Sequence, residues 1–162
     1  MNRVDVGAEG LEPPSWSGAL ESFALRVLDF IGRDNWDLSV LLCGNEKIKA
    51  LNIQYRGRNE ATDVLSFELG AETADEEGGA RYLPGDIVIS LETLRENARR
   101  FETSEDEELR RLLIHGILHL DGMDHASNDE NEPMLKLQEN LLERLKGECV
   151  LPLEEARAGG EG

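Results

Sequence analysis

Apolar residues recur along this chain with two different periods, and each period predicts a different kind of element. A repeat of 3.6 residues predicts a core-facing helix over residues 17–32, with Ser17 as its cap. The core-facing stripe of this helix consists of Leu20, Ala24, Val27, Leu28 and Ile31.

Four short runs of apolar and β-branched residues predict strands, at positions 3–6, 38–43, 62–69 and 86–89. The run at 38–43 is continuously apolar, which predicts a strand that is buried on both faces. Between the third and fourth strands, the segment Gly70 to Arg81 is polar, acidic and contains glycine. That composition predicts a mobile hairpin loop.

Four more helices are predicted from caps and stripes. Asn45 caps a helix that ends at Gly57, Ser90 caps one that runs to about Phe101, and Ser104 with Glu107 forms a capping box. The helix after that box is apolar almost all round, so we expect it to be buried at the centre of the protein. The last helix is predicted to start near Asn128 and to end at Gly147, with a stripe of Met134, Leu137, Leu141 and Leu145.

The predicted order β-α-β-α-β-β-α-α-α favours an α+β fold. The β-α-β start predicts two parallel strands with a right-handed crossover, and the β-β unit adds an antiparallel edge. We therefore expect a four-stranded mixed sheet packed on helices. Residues 1–150 are expected to form a single domain, and 151–162 an acidic tail in which 154–162 are disordered.

Composition restricts the function. The chain has 34 acidic and 17 basic residues, a net charge of −17, which by itself argues against a nucleic-acid partner. The charges are unevenly spread, however, and Arg56 with Arg58 leaves room for a local basic surface. No segment resembles a signal peptide or a membrane span, and Cys43 and Cys149 fit a reduced compartment. We expect a cytoplasmic protein with no membrane partner.

All three histidines lie within the eleven residues His115 to His125. His115 and His119 are four apart, so both project from one face of a helix. Gly122 allows the chain to turn back and to bring His125 beside them. Three imidazoles with an open fourth position are typical of a catalytic metal site, and we expect one zinc ion per chain.

The spacing of the histidines and Gly122 resembles the zinc motif of the metzincin proteases, H-E-x-x-H-x-x-G-x-x-H. Those enzymes use the glutamate after the first histidine as general base. Here that position is Gly116. The peptidase interpretation therefore lacks its proton acceptor.

The full string HGILHLDGMDH resembles the signature of the YbeY family, H-G-x-L-H-L-x-G-Y-D-H, with Met123 in place of the tyrosine. Tyr55-Arg56-Gly57 followed by TDVLSF at 62–67 resembles a second family motif, with Ala61 and Glu68 at its usual prolines. GDIVIS at 85–90 matches a third motif. The resemblance covers roughly residues 4–146.

The resemblance implies a metal-dependent endoribonuclease specific for single-stranded RNA. It would act in maturation of the 3′ end of small-subunit ribosomal RNA and in ribosome quality control. The expected partners are ribosomal RNA and the small subunit or its proteins, with no DNA. The resemblance assigns His115, His119 and His125 as metal ligands and Arg56 as the functional arginine. Arg56 and His115 are the expected catalytic residues.

The sequence leaves parts of the mechanism open. The nucleophile is either a water activated by the metal or the RNA 2′-hydroxyl. Asp124 either orients an imidazole or caps the turn, and Asp63, Ser66 and Asp86 are weaker candidates. Two other functions also remain: a metallohydrolase on another substrate, such as a peptide, and a ribosome-assembly factor whose zinc is structural.

Overall fold

A computed structural model describes residues 1–151 as a four-stranded sheet with five helices. The elements are β1 (Arg3–Ala8), α1 (Ser17–Phe30), β2 (Asp37–Cys43), α2 (Asn45–Arg56), β3 (Val64–Ala74), β4 (Ala80–Ser90), α3 (Leu91–Arg100), α4 (Glu105–Leu120) and α5 (Pro133–Arg144). The strand order is β1-β2-β4-β3; β1 and β4 run parallel to β2, and β3 pairs antiparallel with β4. The predicted α+β fold with a mixed sheet is confirmed, whereas the predicted disorder of 154–162 lies outside the described residues.

Helices cover both faces of the sheet, because side chains alternate along each strand. On β4, Ile87 and Ile89 join the main core with α1, α4 and α5, while Val88 faces the other way. Val88 packs with Leu65 of β3 and Ile48 of α2 in a second, smaller cluster. Helix α2 therefore covers the face opposite to α4.

Helix α4 is the central helix that the sequence predicts, and it contacts β3, β4, α1, α3 and α5. Gly116 of α4 lies directly against Ile87 of β4. A Cβ atom at position 116 would lie 2.9–3.1 Å from three side-chain atoms of that isoleucine. The absence of a side chain at Gly116 thus sets how closely α4 approaches the sheet.

Two helix starts differ from the predicted ones, although the helices themselves form. Trp16 is the N-cap of α1, and Ser17 is its first helical residue, donating its hydroxyl to Pro14 O. Gly44 is the N-cap of α2, so Asn45 does not cap it. The side-chain oxygen of Asn45 instead accepts the hydroxyls of Ser90 and Thr93. In both places a tertiary or turn contact uses the polar group that could have capped the helix.

The caps of the next two helices form as predicted. Ser90 accepts the backbone N–H of Thr93, and Ser104 accepts that of Glu107 at 3.0 Å. The second half of the capping box does not form, because the Glu107 carboxylate accepts the Thr103 hydroxyl.

Helix α5 begins at Pro133 rather than near Asn128, and it ends at Arg144 with Leu145 as its C-cap. Proline is favourable at the first helical position but disfavours helix in the residue before it. The helix therefore starts at the proline, and the polar residues before it form turns that lead away from His125.

The prediction of a mobile loop at Gly70 to Arg81 is wrong in its extent. The two strands continue through most of that segment and leave only residues 75–79 as the turn. A β-bulge lies between Glu68 and Ala71, and Arg81 is buried in an ion pair with Asp37 at 2.5 Å. Of the four acidic residues of this segment, Glu72 lies in β3, an edge strand where charge opposes aggregation, whereas Asp75, Glu76 and Glu77 lie in the turn.

Strand β2 is less symmetrically buried than its apolar run predicts. Leu38, Val40 and Leu42 are fully covered, whereas Ser39 and Leu41 between them are only partly covered.

Within residues 1–151, no helix is long and apolar enough to cross a membrane.

The close contact of Gly116 with Ile87 gives a prediction about stability. Alanine in a helix interior is intrinsically favoured over glycine by about 1 kcal/mol. Overpacking a buried site costs about 1–3 kcal/mol. We expect Gly116→Ala to lower the free energy of unfolding, measured by urea denaturation.

Gly18→Ala in α1 is the matched control, because a Cβ there meets no atom within 4 Å. This change should leave stability the same or raise it slightly. A Gly116→Ala protein that is as stable as its Gly18→Ala counterpart would show that the helix–sheet contact is not tight.

Candidate metal centre

The three histidines converge at the C-terminal end of α4. His115 and His119 lie one turn apart on the helix, with their Nε2 atoms 3.0 Å from each other. Gly122 then takes the left-handed conformation, with φ of 92°, and the chain returns with His125. The ring centroid of His125 lies 5.3 and 5.5 Å from those of the other two. The predicted convergence is confirmed.

Each imidazole is oriented by an oxygen atom that lies within hydrogen-bond distance of its Nδ1. These acceptors are Gln138 Oε1 at 2.7 Å for His115, Met123 O at 3.1 Å for His119, and Ser127 O at 2.8 Å for His125. A carbonyl oxygen can only accept, so each Nδ1 must carry a proton. The Nε2 lone pair of each ring is then free to bind a cation.

Burial favours the neutral form of the helical pair. Desolvation lowers the pKa of both His115 and His119, and the charge of the neighbouring histidines acts in the same direction. This shift favours the neutral ring, which is the state that a metal ligand requires.

The donor set fits one divalent cation. One nitrogen from each of the three histidines lies within 4.8 Å of the other two. In a tetrahedral zinc site with Zn–N bonds of about 2.0–2.1 Å, two nitrogens lie about 3.3 Å apart, close to the distance between His115 and His119. The lone pairs of neutral imidazole nitrogens this close together repel each other, and a cation bound between them would relieve the repulsion.

The histidines line an open cleft of about 1010 Å³ at the edge strand β3. The same cleft is lined by Arg56, the last residue of α2, and by Arg58. The Arg56 side chain is exposed and reaches over β3 to donate one hydrogen bond to Ser66 O at 3.2 Å. Most of the N–H donors of its guanidinium therefore remain available to a ligand in the cleft.

A third arginine of the cleft is already neutralised. Arg111 is in ion pairs with Glu107, Glu108 and Glu139. Burial raises the pKa of Glu108, and the contact with Arg111 opposes that rise. Within residues 1–151, Arg56 makes no ion pair and Arg58 makes a single one, with Glu60 at 4.0 Å, so these two arginines of the cleft can offer charge to an anion.

The weaker sequence candidates take structural positions. Asp124 accepts the backbone N–H of His125 and so caps the turn, without a hydrogen bond to an imidazole. Asp63 accepts from Val64 N and from the Asn97 amide. Ser66 lines the cleft with its hydroxyl on Gly116 O, whereas Asp86 lies outside the cleft.

Gln138 is the site residue that sequence reasoning missed. It is 7% exposed on the buried face of α5, among Met134, Leu141 and Leu142, and its amide also donates to Glu139. The available signal was a polar residue on an apolar stripe, since buried polar groups are normally hydrogen-bonded.

The packing of α4 also explains why position 116 carries no carboxylate. A glutamate there would project into Ile87 rather than towards a substrate, because Gly116 faces the sheet and not the cleft. The cleft contains two other glutamates, Glu68 and Glu108, and neither stands next to His115 as the protease motif requires.

Comparison with known proteins agrees with the motifs. The family model described as endoribonuclease YbeY matches residues 15–146. A protein named endoribonuclease YbeY from Treponema pallidum is 49% identical over 142 residues, covering 88% of this chain and 89% of the relative. Its namesake in Borrelia turicatae is 44% identical, covering 86% and 92%.

A solution structure of a Thermotoga maritima protein has the same fold. It shares 33% sequence identity with this chain, superimposes with a TM-score of 0.60, and the match covers 91% of each chain. Family motifs, relatives and fold agree over most of the described residues, and the chain belongs to the YbeY family.

Proposed function

We propose that this protein is a zinc-dependent endoribonuclease that cleaves single-stranded RNA, with the 3′ region of small-subunit ribosomal RNA as its substrate. The observation that carries the proposal is that three histidines with converging ring nitrogens and an exposed arginine line the same cleft. Membership of a family whose relatives are named endoribonucleases supports RNA as the substrate. A role in ribosome quality control, through the small subunit or its proteins, is part of the same proposal.

We assign His115, His119 and His125 as the ligands of one zinc ion. When bound, the ion would act as a Lewis acid on a phosphoryl oxygen and lower the pKa of a water molecule. The chain contributes the orientation of the three rings, through the oxygen atoms that face their Nδ1 atoms. Ligands held in this way lose little freedom when the metal binds.

Arg56 is assigned to the scissile phosphate. A guanidinium can bind two phosphate oxygens at once, and it stabilises the negative charge that grows on them during cleavage. The position of Arg56 at the C-terminal end of α2 also favours a cation, because the helix dipole is negative there. Arg58 lies beside it and extends the positive wall along the RNA backbone.

A peptidase is the second candidate, because a three-histidine cleft would also suit peptide hydrolysis. Two features disfavour it. Gly116 stands where the protease motif has its general base, and of the two glutamates that line the cleft, Glu108 is already bound by Arg111 and Glu68 is not next to His115. The third candidate, an assembly factor with a structural zinc, is disfavoured by the openness of the cleft around the imidazoles, since structural zinc sites are closed.

One set of assays separates the three functions. We expect the zinc-loaded protein to cleave single-stranded RNA, to leave duplex RNA largely intact and to leave casein intact. A chelator should abolish the cleavage, and added zinc should restore it. Casein hydrolysis would favour the peptidase, while RNA binding without any cleavage would favour the assembly factor.

Arg56→Ala should lower the rate of RNA cleavage by about 10²- to 10³-fold, the usual cost of one donor to a developing oxyanion. Zinc content and melting temperature should change little, because the side chain is exposed and makes one hydrogen bond to the protein. Arg56→Lys should rescue poorly, since a point charge does not replace a planar fork.

Arg99→Ala provides the charge-matched control. Arg99 is exposed at the end of α3 and does not line the cleft, so this change should leave cleavage unaltered. Equal rates for the Arg56 and Arg99 variants would reject the assignment of Arg56.

A further inference from the structure

A second pocket, of about 580 Å³, adjoins the metal cleft. The two share Glu68 and Gly122 as lining residues, so they meet at the bulge of β3 and at the end of α4. Pockets of about 300–1,000 Å³ are the usual size of small-molecule sites. None of the metal ligands lines this second pocket.

One wall of the second pocket is aromatic and rigidly held. Trp36 and Tyr82 face each other with ring centroids 5.3 Å apart, and a backbone bridge links the two residues. Arg33 lies over the Trp36 ring, 5.9 Å from its centroid, and is fixed by an ion pair with Asp121 at 2.6 Å. The wall is preorganised, so a flat ligand would lose little free energy in ordering it.

The rim of the pocket carries an exposed leucine. Leu69 lies in the bulge of β3, where the pairing with β4 shifts and Gly70 takes a φ of 64°. The Leu69 residue is 62% exposed. Bulges re-aim side chains next to active sites, and this one turns an aliphatic group to the mouth of an aromatic pocket.

The charges of the two sites indicate that each site would hold a different part of a nucleotide. In the second pocket the charges of Arg33 and Asp121 cancel, so its lining offers no unpaired cation to a phosphate, whereas its aromatic wall suits a neutral ring. Glu68 lines both sites and does not distinguish them. The metal cleft, with Arg56 and Arg58, is the place for the phosphate.

We propose that the second pocket binds one unpaired nucleobase next to the scissile phosphate, between Leu69 and the Trp36–Tyr82 wall. This inference rests on the proposed function and deepens it. A base can enter the pocket only when it is unstacked and unpaired, which a duplex prevents. The pocket would therefore supply the preference for single-stranded RNA.

The test uses nucleotides that an endonuclease cannot cut. Zinc-loaded protein with isotope-labelled leucine methyl and tyrosine ring groups is titrated with adenosine or uridine 5′-monophosphate and followed by NMR. We expect the signals of Leu69 and Tyr82 to shift with at least one nucleotide. Ribose 5-phosphate, which has the same phosphate but no base, should leave both signals in place.

A pair of variants with the same charge change tests the site itself. Leu69→Glu should weaken nucleotide binding about fivefold or more, because it removes an apolar contact at the pocket and places a carboxylate near the nucleotide phosphate. Phe101→Glu is the control, since Phe101 is 61% exposed and lines neither site. With single-stranded RNA as substrate, Leu69→Glu should raise KM more than it lowers kcat.

Three results would overturn the proposal: no shift of Leu69 or Tyr82 with either nucleotide, equal shifts with ribose 5-phosphate, or equal weakening by both variants. These outcomes are independent of the proposed function. If the protein cleaves RNA but shows no nucleotide shift, the proposed function stands and the base pocket is rejected. If it shows the shift but does not cleave RNA, the pocket stands and the proposed function is rejected.

Discussion

The hydrogen bond at the Nδ1 atom of each imidazole is the constraint on which the rest of the site depends. A histidine can bind a metal through either ring nitrogen, and three unrestrained rings would lose considerable entropy on converging. Here the oxygens of Gln138, Met123 and Ser127 fix which nitrogen faces the cleft. These three oxygens come from α5, from the turn after α4 and from the loop beyond it. The docking of α5 and the reversal at Gly122 therefore help to form the candidate metal site.

An acidic protein can still present a positively charged site to a polyanion if some of its arginines lack close carboxylate partners. Arg81, Arg110 and Arg111 are held by buried or partly buried carboxylates and stabilise the fold. Arg56 and Arg58 line the cleft without such close partners. Within residues 1–151, the ion pair that they form is the one between Arg58 and Glu60, at 4.0 Å. The net charge of −17 describes the whole chain, whereas an RNA phosphate would meet the local charge of this wall.

The sequence predicts those parts of the structure that local rules determine. The histidine tripod follows from spacing and one glycine, and the α+β order follows from periodicity. Local rules fail where a distant partner decides the outcome. Asn45 gives its side-chain oxygen to Ser90 and Thr93, and Gln138 is useful only because α5 docks against α4. The composition of Gly70 to Arg81 predicts a loop, yet the pairing of β3 with β4 keeps all of this segment except the turn at 75–79 in strand conformation.

The central claim is that three Nε2 atoms bind one metal ion while the three Nδ1 atoms keep their protons. Long-range ¹H–¹⁵N correlation spectra of the histidine rings, recorded on protein loaded with one equivalent of zinc, measure this directly. The account predicts metal-bound Nε2 and protonated Nδ1 shifts for His115, His119 and His125. A ring bound through Nδ1, or one whose shifts do not change when zinc is added, would contradict it.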